Sequence, residues 1–329
     1  MATITWITPG WKDAAVPEFV LAHTQQWIDH FASEGHDPHP LAAGVEGAIY
    51  DLGGGLVAKV WRERGAAELV RMQAFYADVA AAGLPFRTPE ILTVEDVEGT
   101  AVTYERKLPG APLAHRLSED DTGVDPAAAR CTTEVLQALA TVPATAPMRQ
   151  LAVLDEDRPL WDGAAAFRDA LLGLLQRRVA RFGPVIRRHL PDFDRRYAGL
   201  RECIAALPGH PDTAIHGDIF PGNILADEQG RPLAVLDFGF LTTAGDPRLD
   251  AAIAGSVMNM YGPHAPAITG AFTRQLATDL GYPAEELVTY QAAYAVATSN
   301  AFTADGTDGH FAWCISQLRR PDVTDLLGL

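Results

Sequence analysis

Cysteine is scarce in this chain of 329 residues: Cys131, Cys203 and Cys314 lie far apart and form no Cys-x-x-Cys. That pattern excludes a disulfide framework and a thiolate-built zinc site, and it predicts a protein of the reducing cytoplasm. Basic residues are outnumbered, 26 Lys and Arg against 42 Asp and Glu, for a net charge of -16. Nucleic acids and anionic membranes bind clustered cations, so neither is predicted as a partner, whereas a cationic small molecule is compatible. Long apolar runs are missing too: none approaches the ~18 residues of a membrane helix. Met1 to Pro17 lacks the basic stretch and apolar core of a secretory leader. No GxxxxGK[ST] phosphate loop occurs anywhere. What remains, at 48% hydrophobic and 21% charged, is an ordinary globular composition with enough apolar content for two lobes.

The chain is organised around Ala214 to Gly239, which reads AIHGDIFPGNILADEQGRPLAVLDFG. Ile224-Leu225-Ala226, the polar turn Asp227 to Gly230, and Pro232 to Leu236 read as a β-hairpin with glycine supplying positive φ at the turn. Pairing across that turn sets residue 223 opposite the 235–237 end, so the Asn223 amide and the Asp237 carboxylate emerge at one rim. Two hard oxygen donors side by side suit Mg²⁺. Asp218, five residues before Asn223, then lies near the metal without being required to bind it. It is left free to accept a proton.

His216-Gly-Asp218, Asn223 and Asp237-Phe-Gly239, in this order and spacing, resemble the aminoglycoside phosphotransferase and choline kinase superfamily. The resemblance spans roughly Gly44 to Asp250 and implies an α+β, two-lobed protein-kinase-like fold. A small N-terminal antiparallel sheet lobe with one helix (residues 1–105) would carry the nucleotide, and a larger, mainly helical lobe (106–329) would carry the catalytic loop and the acceptor. The implied roles follow phosphoryl transfer: Asp218 orients and deprotonates a hydroxyl, and Asn223 and Asp237 hold Mg²⁺ across the phosphates of ATP. By the same likeness, Asp250 of GDPxxDxA ties its loop to the catalytic segment.

Upstream, Gly44-Val-Glu-Gly47 and Asp51-Leu-Gly-Gly-Gly55 frame a hairpin, and Lys59 follows inside the apolar strand Leu56 to Trp61. A cation flanked by Val57, Ala58, Val60 and Trp61 needs an anion, and the resemblance assigns Lys59 to the α/β-phosphates. Leu69, Met72, Tyr76 and Val79 recur at helical spacing over 64–82. On that helix the family places an acid that pairs with the strand lysine. Alignment puts Gln73 at the position, a departure, and leaves Glu68 as the acidic candidate. Residues 91–98 and 100–105 read as a strand pair ending at Leu108-Pro-Gly110. There the resemblance implies a hinge whose backbone at Arg106 and Leu108 hydrogen-bonds the nucleotide base.

From residue 126 onward helices dominate, and their arginines interleave with Asp192, Asp194 and Glu202 as a salt-bridged surface. The function these readings imply is ATP-dependent O-phosphorylation of an aminoglycoside-like or other hydroxylated antibiotic. A metabolite kinase of the choline, homoserine or methylthio-sugar type and a nucleotide-binding pseudokinase are the alternatives. Acidity favours a polycationic acceptor, whose pocket would draw carboxylates from Asp155, Glu156, Asp157, Asp162, Asp305 and Asp308.

Overall fold

The structure is a computed structural model that describes residues 18–44, 46–239 and 241–329, with side chains from residue 23 onward. In chain order it runs α1 (Glu18–Ser33), β1 (His39–Gly44), β2 (Gly47–Gly53), β3 (Leu56–Trp61), α2 (Ala66–Ala81), β4 (Ile91–Val97), β5 (Thr100–Arg106) and β6 (Ala111–Pro112). There follow α3 (Pro126–Leu139), α4 (Phe167–His189), α5 (Phe193–Ala206), β7 (Thr213–Ile215), β8 (Ile224–Ala226), β9 (Pro232–Val235) and β10 (Thr243–Gly245). The chain ends in α6 (Arg248–Val257), α7 (Ala265–Leu280), α8 (Ala284–Thr298), α9 (Gly309–Leu318) and α10 (Pro321–Leu326). The α+β content and its order, sheet first and helices after, are those expected. Helix α4 runs on to His189 with Pro184 inside it.

Two compact units result: the chain to Arg116 together with Gly222–Asp237, and Leu117–Pro221 together with Phe238–Leu329. The expected division at 105/106 gave residues 106–116 and the hairpin to the C-terminal part. Backbone pairing places them otherwise, because β6 adds to the edge of β8 and Arg87 brackets β9, donating to the Leu233 carbonyl and accepting from the Val235 N–H. An edge strand with unpaired backbone groups takes whichever partner reaches it.

In the first unit a five-stranded antiparallel sheet runs β1-β2-β3-β5-β4. The period-2 alternation of β3 decides what each face holds. Ala58 and Val60 turn to a core of Trp27, Phe31, Tyr50, Leu52, Val102 and Tyr104 under α1. Lys59 and Trp61 turn the other way, where Trp61 packs with Leu69 of α2 and Ala101. Full burial of an aromatic such as Phe31, with nothing of it exposed, contributes roughly 1.5–3 kcal/mol. A one-residue slip of β3 would bury Lys59 in that core, so the register is strongly specified.

In the second unit α6 lies against α7 and α8, and the short β7 and β10 pair antiparallel through Ala214 and Ala244. Helix α3 starts on Asp125, which caps it by accepting from the Ala128 N–H. Of the interleaved acids, Asp194 pairs with Arg187 and Asp192 with Arg196, whereas Glu202 forms no ion pair among the described residues. Among the described residues no helix is long and apolar enough to cross a membrane.

Candidate active site

The hairpin β8–β9 forms where expected. Asp227 fixes its turn by accepting from the N–H groups of Gln229 and Arg231, and Gly230 adopts φ 76°. Beyond the last strand pair the Leu236 N–H donates to the Asn223 carbonyl at 2.7 Å. Asn223 and Asp237 therefore share one rim, and the Asn223 amide lies 3.5 Å from the Asp237 carbonyl. Asp237 sits at φ 39°, a left-handed conformation that short polar residues tolerate better than most.

Lys59 reaches this rim from β3. Its ammonium stands 3.1 Å from Asp237 and 3.1 Å from Glu46, and 3.9 Å over the Trp61 ring. Burial alone would lower the lysine pKa, but Asp237 and Glu46 together hold it well above the ordinary range. Conversely, burial would raise Glu46, yet Lys59 and Arg64 pull it down to about 2. Nearby Glu105 shifts upward, through burial first and then the charges of Asp237 and Glu46.

Neither acid-position candidate on α2 touches the lysine. Glu68 takes Arg64 at 2.7 Å, and Gln73 donates to the Ile91 carbonyl at 2.8 Å, tying α2 to β4. Glu46, between the two glycines of the first turn, holds the place expected for Glu68. The available signal was the Glu46-Gly47 pair itself, one turn away from the strand that carries Lys59. Further along β5, the Arg106 side chain pairs with Glu90 and its N–H donates to the Glu90 carbonyl. Leu108 keeps its backbone free of protein partners among the described residues.

Asp218 belongs to the second unit, on the loop after β7. There Asp250 of α6 accepts from the His216 N–H and the Gly217 N–H, both at 2.8 Å. Thr242 donates to the His216 carbonyl, as does the Gly239 N–H. The His216 ring stacks against Phe238 with centroids 4.4 Å apart. Gly217 has φ 79°, and a Cβ there would stand 2.3 Å from Leu241. A Cβ on Gly239 would stand 2.5 Å from that of Asp218. Glycine at both positions is what lets the half-buried carboxylate of Asp218 keep its place. Burial pushes the Asp250 carboxyl up to about 6, against the two N–H bonds that favour its charge.

Asp250→Ala would strand two buried N–H donors at about 1–3 kcal/mol each. We expect it to lower unfolding stability by about 2–5 kcal/mol and to slow turnover through the displaced Asp218 loop. Denaturant titration beside activity reads both, and a variant as stable and active as the parent would refute the clamp.

Among the described residues no group of three or more His, Cys, Asp and Glu could hold a metal alone. One carboxylate and one amide oxygen at a common rim fit Mg²⁺, which completes its shell with water and substrate phosphates.

The sequence model described as "Phosphotransferase enzyme family" matches residues 37–297. No curated protein matches the chain. Among solved structures, the GDP and kanamycin complex of APH(2")-IIia is similar at TM-score 0.64 and 16% identity, over 92% of this chain and 99% of that one. The macrolide 2'-phosphotransferase MphH from Brachybacterium faecium gives 0.54 and 19%, over 91% and 99%. The ADP and streptomycin complex of APH(3'')-Id from Streptomyces rimosus gives 0.51 and 15%, over 83% and 98%. At such identities the likeness establishes a shared fold.

Proposed function

The chain belongs to the phosphotransferase enzyme family, and from that premise we propose an ATP-dependent O-phosphotransferase acting on a hydroxyl of an antibiotic, aminoglycoside-like or other. The observation that carries the reading is Lys59, buried in a strand and ion-paired to Asp237 on the hairpin that also presents Asn223. A buried cation poised beside a rim of oxygen donors suits a triphosphate, with Lys59 taking the α/β-phosphates. Asn223 and Asp237 are the residues that would hold Mg²⁺, which when bound neutralises charge on the transferring phosphoryl group. Asp218 orients the acceptor hydroxyl and receives its proton. Leu108, with its free backbone, is the position for the base; Arg106 has its N–H committed to Glu90. Catalysis then rests on positioning and on charge placed in advance.

The acceptor class follows from where the carboxylates went. Asp155 pairs with Arg178 and Arg181, Glu156 with Arg177, and Asp162 with Arg158. Asp305 accepts from Thr307, and Asp308 caps α9. Of the six candidates Asp157 alone keeps no side-chain partner among the described residues. Within that range of antibiotics, the pairing favours a neutral or weakly charged acceptor over a polycationic aminoglycoside. Screening shortens the Debye length from ~10 Å at 0.1 M salt to ~3 Å at 1 M. We therefore expect the acceptor KM to change less than about twofold across that range; a steep climb would restore the polycation.

Release of ADP or GDP from Mg·ATP or Mg·GTP, across a panel of antibiotics and hydroxylated metabolites, tests the whole reading. The GTP arm is included because APH(2")-IIia was solved with GDP. Turnover on choline, homoserine or a methylthio sugar would assign a metabolite kinase. Nucleotide binding without transfer to any acceptor or to water would assign a pseudokinase.

A further inference from the structure

Five charged side chains of alternating sign run through the first unit: Asp237, Lys59, Glu46, Arg64 and Glu68. Successive contacts are 3.1, 3.1, 3.0 and 2.7 Å. We infer that Glu46 in the first glycine turn is the positioning residue for Lys59, and that Arg64 is a strut linking it to Glu68 on α2. The inference rests on the proposed role of Lys59 at the phosphates and reaches beyond it, since it moves the orienting acid from the helix to the turn.

Three observations hold Glu46 in place, two through its backbone and one through its carboxylate. Its carbonyl accepts from the Arg62 N–H at 2.9 Å, which clamps the turn to the end of β3. Gly47, the next residue, presses so closely on β3 that a Cβ would stand 1.9 Å from the Val60 carbonyl oxygen. Its carboxylate is held from a second side by Arg64, whose guanidinium also lies 5.4 Å over Trp61. Lys59 and Arg64 thus share one carboxylate and one indole ring, and neither can shift without disturbing the other. Glu68 has no contact with Lys59; it acts through Arg64. The position of α2 is transmitted to the lysine along this row.

Removing Glu46 has two opposed effects on nucleotide: Lys59 loses its orientation, and the phosphates lose a nearby negative charge. Affinity should therefore move little while turnover falls, a split that a merely structural role would not give. We expect Glu46→Gln to lower kcat at least tenfold with the nucleotide KM within about threefold, and Glu46→Asp to recover part of the loss. Glu68→Gln should be milder. Combined with Glu46→Gln it should add almost nothing, because its effect passes through the residue already removed.

Turnover is read with Mg·ATP or Mg·GTP on the acceptor the panel identifies, or on water if none does, with thermal unfolding to confirm each variant is folded. Unchanged kcat in Glu46→Gln, or full additivity with Glu68→Gln, would overturn the inference. Tighter nucleotide binding with unchanged kcat would do so as well, marking Glu46 as a competitor for the phosphate position. Lys59→Ala separates the two levels: if it abolishes turnover while Glu46→Gln leaves kcat unchanged, the inference fails and the phosphotransferase reading stands. If Lys59→Ala turns over normally, the reading itself fails.

Discussion

Asp218→Asn is expected to abolish phosphoryl transfer while leaving nucleotide affinity within a few-fold of the parent. The substitution keeps shape and volume, so Gly239, whose close approach shapes this position, still fits beside it. What it removes is the capacity to take a proton. General-base assistance is worth roughly 10²–10⁴ in rate, or about 3–5 kcal/mol of barrier at 1.36 kcal/mol per tenfold. The loss should therefore appear in kcat and in kcat/KM alike, the pattern of an interaction made in the transition state. Nucleotide affinity is expected to hold because the cation and the oxygen rim proposed to serve it, Lys59, Asn223 and Asp237, belong to the other unit. Steady-state kinetics on the panel acceptor, with calorimetric titration of Mg·ATP, checks both halves. Near-normal turnover would remove Asp218 from the mechanism; a collapse of nucleotide affinity would mean that the carboxylate serves the donor instead.

The parts of this arrangement that the sequence made legible are those fixed by backbone periodicity. A hairpin with one glycine-bearing turn sets residue 223 opposite 236, whatever the side chains do, and the Leu236 N–H to Asn223 carbonyl bond is that consequence. Strand alternation likewise sent Lys59 away from the apolar core. The parts that stayed hidden depend on where separate elements come to rest. Glu46 meets Lys59 through the β1–β2 turn and its close packing on Val60, and neither a helical wheel nor a motif contains that contact. Glu68 and Gln73 lie on opposite flanks of one stripe, so helical geometry could not choose between them; the structure uses both for other partners. The fate of Asp155 and Glu156 was equally remote, set by arginines of α4 more than 20 residues away. The hairpin's membership of the first unit turned on Ala111 and Pro112 pairing with β8 and on Arg87 bracketing β9.

The second large effect is expected at Asp237, and two substitutions divide its causes. Asp237 contributes charge in two directions, as an ion-pair partner of Lys59 at 3.1 Å and as the carboxylate of the proposed Mg²⁺ rim. Removing it leaves Lys59 paired with Glu46, so the buried cation keeps an anion and the fold should persist. The rim keeps the Asn223 amide alone, too little for a divalent ion that favours charged oxygen donors. Altering residues that merely support metal ligands costs 10–100-fold, so losing a direct ligand should weaken Mg·ATP binding by at least ~100-fold. Asp237→Ala carries a second burden, because alanine at φ 39° is less favourable than Asp or Asn by about 1 kcal/mol. Asp237→Asn avoids that penalty, since asparagine accepts left-handed backbone and retains one oxygen while losing the charge. If charge is what the rim supplies, both variants should bind ATP equally with and without Mg²⁺, and the Asn form should unfold at the parent's temperature. If shape is what matters, the Asn form should bind like the parent and the Ala form should fail in both measurements. Titration of ATP with and without Mg²⁺, on the two variants and the parent, distinguishes these outcomes, and unchanged Mg·ATP affinity in Asp237→Ala would exclude Asp237 as a ligand altogether.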